Sequence, residues 1–137
     1  MLRREELEHT AFVIASIAHK GQYRRDGITP YMTHPIAVAG KFSNSILRSI
    51  AILHDVIEDT DVTSKGLLER GISVTVVEAV EALSQQEGES YLNYILRVKE
   101  HPLATLVKIE DIKHNYDTVQ KSKQERYDMA LYILRGR

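Results

Sequence analysis

Ser45-Ile46-Leu47-Arg48-Ser49-Ile50-Ala51-Ile52-Leu53-His54-Asp55-Val56-Ile57-Glu58-Asp59-Thr60 is the stretch on which the fold turns. Apolar residues at Ile46, Leu47, Ile50, Ala51, Leu53 and Ile57 surround the whole circumference of a helix rather than one stripe, which predicts a central, buried helix from Ser45 to about Glu58. The same segment ends in His54, Asp55, Glu58 and Asp59. On a continuous helix His54 and Glu58 share one face, and Asp55 and Asp59 another. A solvated polar turn is the plain reading of such an ending. Acidic groups at a helix C-terminus are opposed by the helix dipole, however, and burying several carboxylates without a partner is strongly unfavourable. A nearby cation, most simply a divalent metal ion, resolves both problems.

Outward from this helix, three- and four-residue periodicity dominates, with Gly and Pro lying between periodic segments. The pattern predicts an all-α domain, a helical bundle of about eight helices. A first helix runs from about Glu5 to Lys20. The Gly- and Pro-bearing segment from Gly21 to Thr33 cannot continue it and reads as a loop of functional length. A short helix from Pro35 to about Phe42 follows. Beyond the central helix, Thr63 and Ser73 are candidate N-caps, the first for a helix ending near Gly71, the second for one carrying Val76, Val77, Val80 and Leu83. The β-branched run Ile72 to Val77 is kept helical because no second strand exists to pair with it. Three last helices are expected at Glu89 to Glu100, Pro102 to Tyr116 and Val119 to Leu134.

Composition narrows the chemistry. The 137 residues, 43% hydrophobic, suit a single domain with one ordinary core. There is no cysteine, so a metal must be held by His, Asp or Glu. A formal net charge of -1, without a run of Lys or Arg, argues against a nucleic-acid partner. No apolar stretch approaches the roughly 20 residues that span a bilayer, and the acidic start Met1-Leu2-Arg3-Arg4-Glu5-Glu6 does not read as a signal peptide. No membrane partner is expected, and the expected location is cytoplasmic. A homo-oligomer is compatible with the composition. An anionic small molecule needs a local basic cluster.

Five segments in order resemble the HD superfamily, specifically the hydrolase domain of RelA/SpoT-type alarmone enzymes and their small stand-alone relatives. They are Ala18-His19-Lys20-Gly21-Gln22-Tyr23-Arg24-Arg25-Asp26-Gly27; Pro30-Tyr31-Met32-Thr33-His34-Pro35; Leu53 to Thr60; Gly88-Glu89-Ser90-Tyr91; and Val107-Lys108-Ile109-Glu110-Asp111 with His114-Asn115. The resemblance runs from about Ala18 to Thr118. It implies a single HD-type domain over residues 1–137, with His34, His54, Asp55 and Asp111 as metal ligands. This mixed nitrogen and oxygen set suits Mn²⁺, Fe²⁺ or Zn²⁺, and family habit favours manganese. Glu58 and Asp59 match the catalytic acidic pair, which orients or deprotonates the attacking water. Arg24 and Arg25 match a basic pair lining the nucleotide pocket, with Tyr31, Asn115 and Thr118 at further substrate-binding positions.

The expected activity is removal of the 3′-pyrophosphate of guanosine tetra- or pentaphosphate by a metal-dependent phosphohydrolase. Another phosphorylated nucleotide as substrate, or a nucleotide-binding regulatory module without turnover, are the alternatives. Three departures bear on the choice. Glu110 stands beside the implied ligand Asp111, Ile112 replaces an arginine, and the segment after Asn115 is short where longer relatives complete the pocket. His9 and His101 read as surface residues. His19 and His114 read as supports behind the ligands, and Lys108 and Lys113 as added positive potential or solvated charge.

Overall fold

The computed structural model describes residues 2–136 and is entirely helical apart from its connections and one isolated bridge, Tyr23 to Pro30. In chain order the α-helices are α1 (Arg4–Ala18), α2 (Thr33–Ala39), α3 (Ser45–Leu53), α4 (Val56–Asp59), α5 (Ser64–Glu69), α6 (Val74–Ala82), α7 (Tyr91–Lys99), α8 (Pro102–Asn115) and α9 (Lys121–Leu134). A 3₁₀ turn at Tyr116–Thr118 joins the last two. The helical bundle predicted from periodicity is thus present, and the run Ile72 to Val77 is indeed no strand.

Helix starts follow the side-chain chemistry. The Asn44 carboxamide oxygen accepts from the Ile46 and Leu47 amides, and Thr63, Ser73 and Ser90 cap α5, α6 and α7 in the same way. Each such cap is worth about 1 kcal/mol. Pro102 opens α8 behind His101, whose ring accepts from the Ala104 amide. Gly71 closes α5 with a φ of 91°, a left-handed conformation that L side chains rarely adopt.

α3 is the axis of the molecule. Ser49, Ile50, Ala51, Ile52 and Leu53 are all buried, a run of five that only an enclosed helix tolerates. α1, α2, α6 and α8 pack around it. α7 and α9 pair beyond α8. Arg97 of α7 ties this outer layer inward: its guanidinium grips both Glu89 carboxylate oxygens at 2.9 Å and donates to the carbonyls of Ala82 and Ser84 at the end of α6.

The central helix differs from expectation in one respect. It ends at Leu53 and restarts as the single turn α4, with His54 and Asp55 in the break. The cause is local: the His54 ring donates from Nδ1 to the Ala51 carbonyl at 2.6 Å, occupying the acceptor that the Asp55 amide needs to continue the helix. Glu58 and Asp59 consequently lie on a single turn rather than at the C-terminus of a long helix, so the dipole that opposes them is short.

Candidate metal centre and catalytic cavity

His54 carries the strongest chemical signal. A carbonyl oxygen only accepts, so Nδ1 holds the ring proton and a neutral ring presents a lone pair at Nε2. That nitrogen lies 2.9 Å from Asp55 Oδ2 and 3.4 Å from Asp111 Oδ1. Yet it is buried and makes no hydrogen bond of acceptable geometry with either. A lone pair facing two carboxylates is repulsive unless a cation stands between them. Burial opposes a charged ring here, but the carboxylates of Asp55 and Asp111 hold His54 well above the ordinary imidazole range. The spot therefore demands positive charge, as a proton or as a metal ion.

The other implied ligands converge on it. His34, from the first turn of α2, is 1% exposed. Its Nε2 lies 2.7 Å from Asp111 Oδ1, and its Nδ1 lies 2.6 Å from Nδ1 of His114, whose ring stacks on it. Burial holds His34 below its usual range despite the pull of Asp111. Asp111, projecting from α8, accepts from Lys108 Nζ at 2.8 Å and from Asn115 Nδ2 at 3.2 Å. Burial alone would raise its carboxyl pKa, but Lys108 and His54 carry it well below the normal carboxylate range. Asp55 accepts a hydrogen bond from the Tyr31 hydroxyl. Donor atoms of His34, His54 and Asp111 all lie within 4.8 Å of one another, and those of Asp55, Glu58 and Asp59 form a second such group, which Asp55 joins to the first through His54. Two imidazoles, two carboxylates and an unpaired buried nitrogen fit a divalent transition ion.

Glu58 and Asp59 project from α4 and are exposed at the edge of this cluster. Desolvation is the main cause that pushes both carboxyls above their ordinary range, with Asp55 adding repulsion. The Gln85 amide donates to Glu58 Oε1 at 2.6 Å. Among the described residues, the Asp59 carboxylate makes no hydrogen bond, while its backbone carbonyl accepts from Gln22. His19, buried at the end of α1, is 2.8 Å from the other end of the same Gln22 carboxamide.

Asp55, Glu58, Asp59 and Asp111 floor a cavity of about 500 Å³, while the buried His34 and His54 rings stand outside its lining. Arg24 and Arg25 reach it from the loop between α1 and α2, Lys108 from α8, and Lys123 and Arg126 from α9. The loop is a pinned hairpin: Arg24 N bonds Thr29 O, Tyr31 N bonds Gln22 O, and Asp26 accepts from the Ile28 and Thr29 amides. Arg24 donates to Asn115 Oδ1 at 2.9 Å and Arg25 to Thr118 Oγ1 at 3.1 Å, so four of the five positions singled out for substrate come together. Tyr31 lines the cavity and also buttresses Asp55.

Sequence reasoning underrated the far wall. Tyr91, Tyr94, Lys108, Lys123, Arg126 and Tyr127 all line the cavity, and none was singled out as a substrate residue. The short segment after Asn115 does not leave that wall bare, because α9 supplies Lys123, Arg126 and Tyr127. Their i, i+3, i+4 spacing was the available signal. Lys108, which could equally have faced water, is instead drawn inward by Asp111. His101 is a cap and His9 an exposed residue on α1.

Comparison with known proteins finds relatives in sequence and in fold. No family model matches the chain. It is 36% identical over 128 residues to the guanosine-3′,5′-bis(diphosphate) 3′-pyrophosphohydrolase of Haemophilus influenzae, covering 83% of this chain and 19% of that protein. It is 31% identical over 131 residues to the bifunctional (p)ppGpp synthase/hydrolase SpoT of Escherichia coli, covering 85% of this chain and 18% of that protein. The chain thus spans about a fifth of the length of these curated relatives. Among solved structures, a metazoan ortholog of SpoT, described as hydrolysing ppGpp, superposes with a TM-score of 0.75 at 20% identity, over 94% of this chain and 85% of that one. At that identity the match speaks for the fold. The chain is therefore all-helical, similar in sequence to these curated ppGpp enzymes over the portion of them that it spans and similar in fold to the SpoT ortholog.

Proposed function

We propose that this domain is a metal-dependent phosphohydrolase that removes the 3′-pyrophosphate of guanosine tetra- or pentaphosphate, with manganese as its ion and the cytoplasm as its location. The observation that carries the reading is the His54 ring, whose unpaired Nε2 faces two carboxylates on the floor of a cavity walled by five cationic side chains, Arg24, Arg25, Lys108, Lys123 and Arg126. His34, His54, Asp55 and Asp111 would hold the ion. When bound, a divalent ion supplies Lewis-acid polarisation of the phosphoryl group and acidification of water.

The remaining work falls to the chain's own groups. Water adds its oxygen to the ribose-linked 3′-phosphorus, the bond from that phosphorus to the 3′-oxygen breaks, and pyrophosphate separates from the 5′-nucleotide. One proton must leave the water and one must reach the 3′-oxygen. Asp59 is the better acceptor of the first, because its carboxylate makes no hydrogen bond among the described residues and burial raises its pKa, whereas Glu58 is held by the Gln85 amide. Arg24 and Arg25, placed beside Asn115 and Thr118, suit the nucleoside and its 5′-phosphates. Tyr31 keeps Asp55 oriented.

The test is pyrophosphate release by manganese-loaded protein over a panel of phosphorylated guanine and adenine nucleotides. Equal amounts of pyrophosphate and guanosine diphosphate from guanosine tetraphosphate are expected. Rapid hydrolysis of a different nucleotide, with none of this one, overturns the substrate.

A further inference from the structure

The segment Gly88-Glu89-Ser90-Tyr91 has so far been given no chemical role. Ser90 caps α7, and Tyr91, the first residue of that helix, lines the cavity. Its hydroxyl is buried and has no hydrogen-bond partner among the described residues. A phenol hydroxyl in such a place normally finds one. Burial pushes this phenol up to about 12, with Lys108 pulling the other way, so it remains a neutral donor.

Lys108 lies on the same wall, its ammonium over the Tyr94 ring, whose centroid is 6.0 Å from that of Tyr91. Its ammonium has three N–H groups. One is spent on Asp111 at 2.8 Å, and the Tyr94 ring lies 5.1 Å from the nitrogen. No other hydrogen bond from it is made among the described residues. The Arg126 guanidinium stacks over the Tyr91 ring at 4.7 Å, which fixes the ring and adds positive charge. Two neighbouring donors with spare capacity, one touching Asp111 of the metal set, are thus held ready beside the reacting centre.

We propose that the Tyr91 hydroxyl and the Lys108 ammonium form an oxyanion subsite on the α7–α8 wall, receiving the phosphoryl end that departs as pyrophosphate. This rests on the function proposed above and adds to it a division of the cavity. Arg24, Arg25 and Asn115, with Thr118 bonded to Arg25 outside the cavity lining, take the nucleotide that remains, and Tyr91 with Lys108 takes the group that leaves.

Binding of inorganic pyrophosphate to the manganese-loaded protein, measured by titration calorimetry, is the direct test. Tyr91→Phe should weaken it roughly 3- to 10-fold, the loss of one neutral hydrogen bond, and Lys108→Met roughly 10- to 100-fold, the loss of a charged one. Binding of guanosine diphosphate should change less than twofold in Tyr91→Phe. Because the hydroxyl has no partner among the described residues, Tyr91→Phe should also melt at the wild-type temperature or slightly above. A structural hydroxyl gives the reverse, a lower melting temperature with unchanged pyrophosphate binding, and overturns the subsite. So does a wild-type protein that binds no pyrophosphate. Lys108→Arg guards against misfolding of the methionine variant: it keeps the charge and should retain most of the binding. Failure to release pyrophosphate from guanosine tetraphosphate, with Tyr91-dependent pyrophosphate binding intact, removes the substrate and leaves the subsite standing.

Discussion

Asp111→Asn tests the buried charge network at its hub. The carboxylate is 6% exposed and accepts from Lys108 at 2.8 Å, Asn115 at 3.2 Å and His34 at 2.7 Å. An amide keeps the volume but removes the charge, and Lys108 then has no anionic partner among the described residues. Breaking a buried pair from one side costs about 3–5 kcal/mol, a large part of the roughly 5–15 kcal/mol that holds a domain folded. For a chain of this size the melting temperature falls by roughly 3–5 °C per kcal/mol. The metal-free variant should therefore melt roughly 10–20 °C below the metal-free wild type. Manganese should raise the wild-type midpoint, since an ion at about 100 times its dissociation constant adds about 2.7 kcal/mol, and should leave the variant's unchanged. Thermal scans by circular dichroism with and without chelator, and elemental analysis of the loaded proteins, read both effects. Asp117→Asn, at an exposed site on the same segment, is the control. A variant that melts within about 2 °C of wild type and still takes up about one ion per chain refutes the network.

Glu58→Gln and Asp59→Asn should keep the metal while lowering turnover roughly 10²- to 10⁴-fold, and wild-type rates in both remove the acidic pair from the mechanism. Both carboxyls are raised by burial, so the acid limb of the wild-type rate profile should lie above the ordinary carboxylate range. A limb at or below pH 4 contradicts this. Arg25→Ala should raise KM for guanosine tetraphosphate with kcat little changed, the signature of lost uniform binding; steady-state kinetics showing an unchanged KM dissociates Arg25 from the substrate. Glu89 is held at about 2, chiefly by its hydrogen bonds to Arg97, against an ordinary 4.5. A lowered pKa gives stability that is full above about 4.5 and lost as pH falls toward 2. Urea titrations across that window should show a steeper loss for wild type than for Glu89→Gln, and parallel losses count against the clamp.

Much of the fold was legible because its determinants are local. The enclosed apolar circumference of Ser45 to Leu53, the caps at Thr63 and Ser73, and Pro102 each act within a turn or two of chain. The break at His54 was not legible, since it depends on the rotamer by which the imidazole captures the Ala51 carbonyl. A carboxylate or solvent competes for the same ring, and only packing decides between them. The same holds for Lys108, whose sequence position allows a solvated or a buried ammonium, and which the neighbouring Asp111 and Tyr94 settle.

The amino-acid sequence by itself determined an all-helical domain with no thiol to hold a metal, because residue type and helical spacing are properties of the chain, whereas His34, His54, Asp55 and Asp111 became candidate ligands through the family resemblance. Tertiary structure decided which of these meet. It set the Nε2 of His54 against Asp55 and Asp111, paired Arg24 with Asn115 and Arg25 with Thr118 across some ninety residues, and turned α9 so that Lys123, Arg126 and Tyr127 close the cavity. Contacts at such separation carry no local signature, since they arise from how α2, α8 and α9 pack around α3 and not from any spacing along the chain.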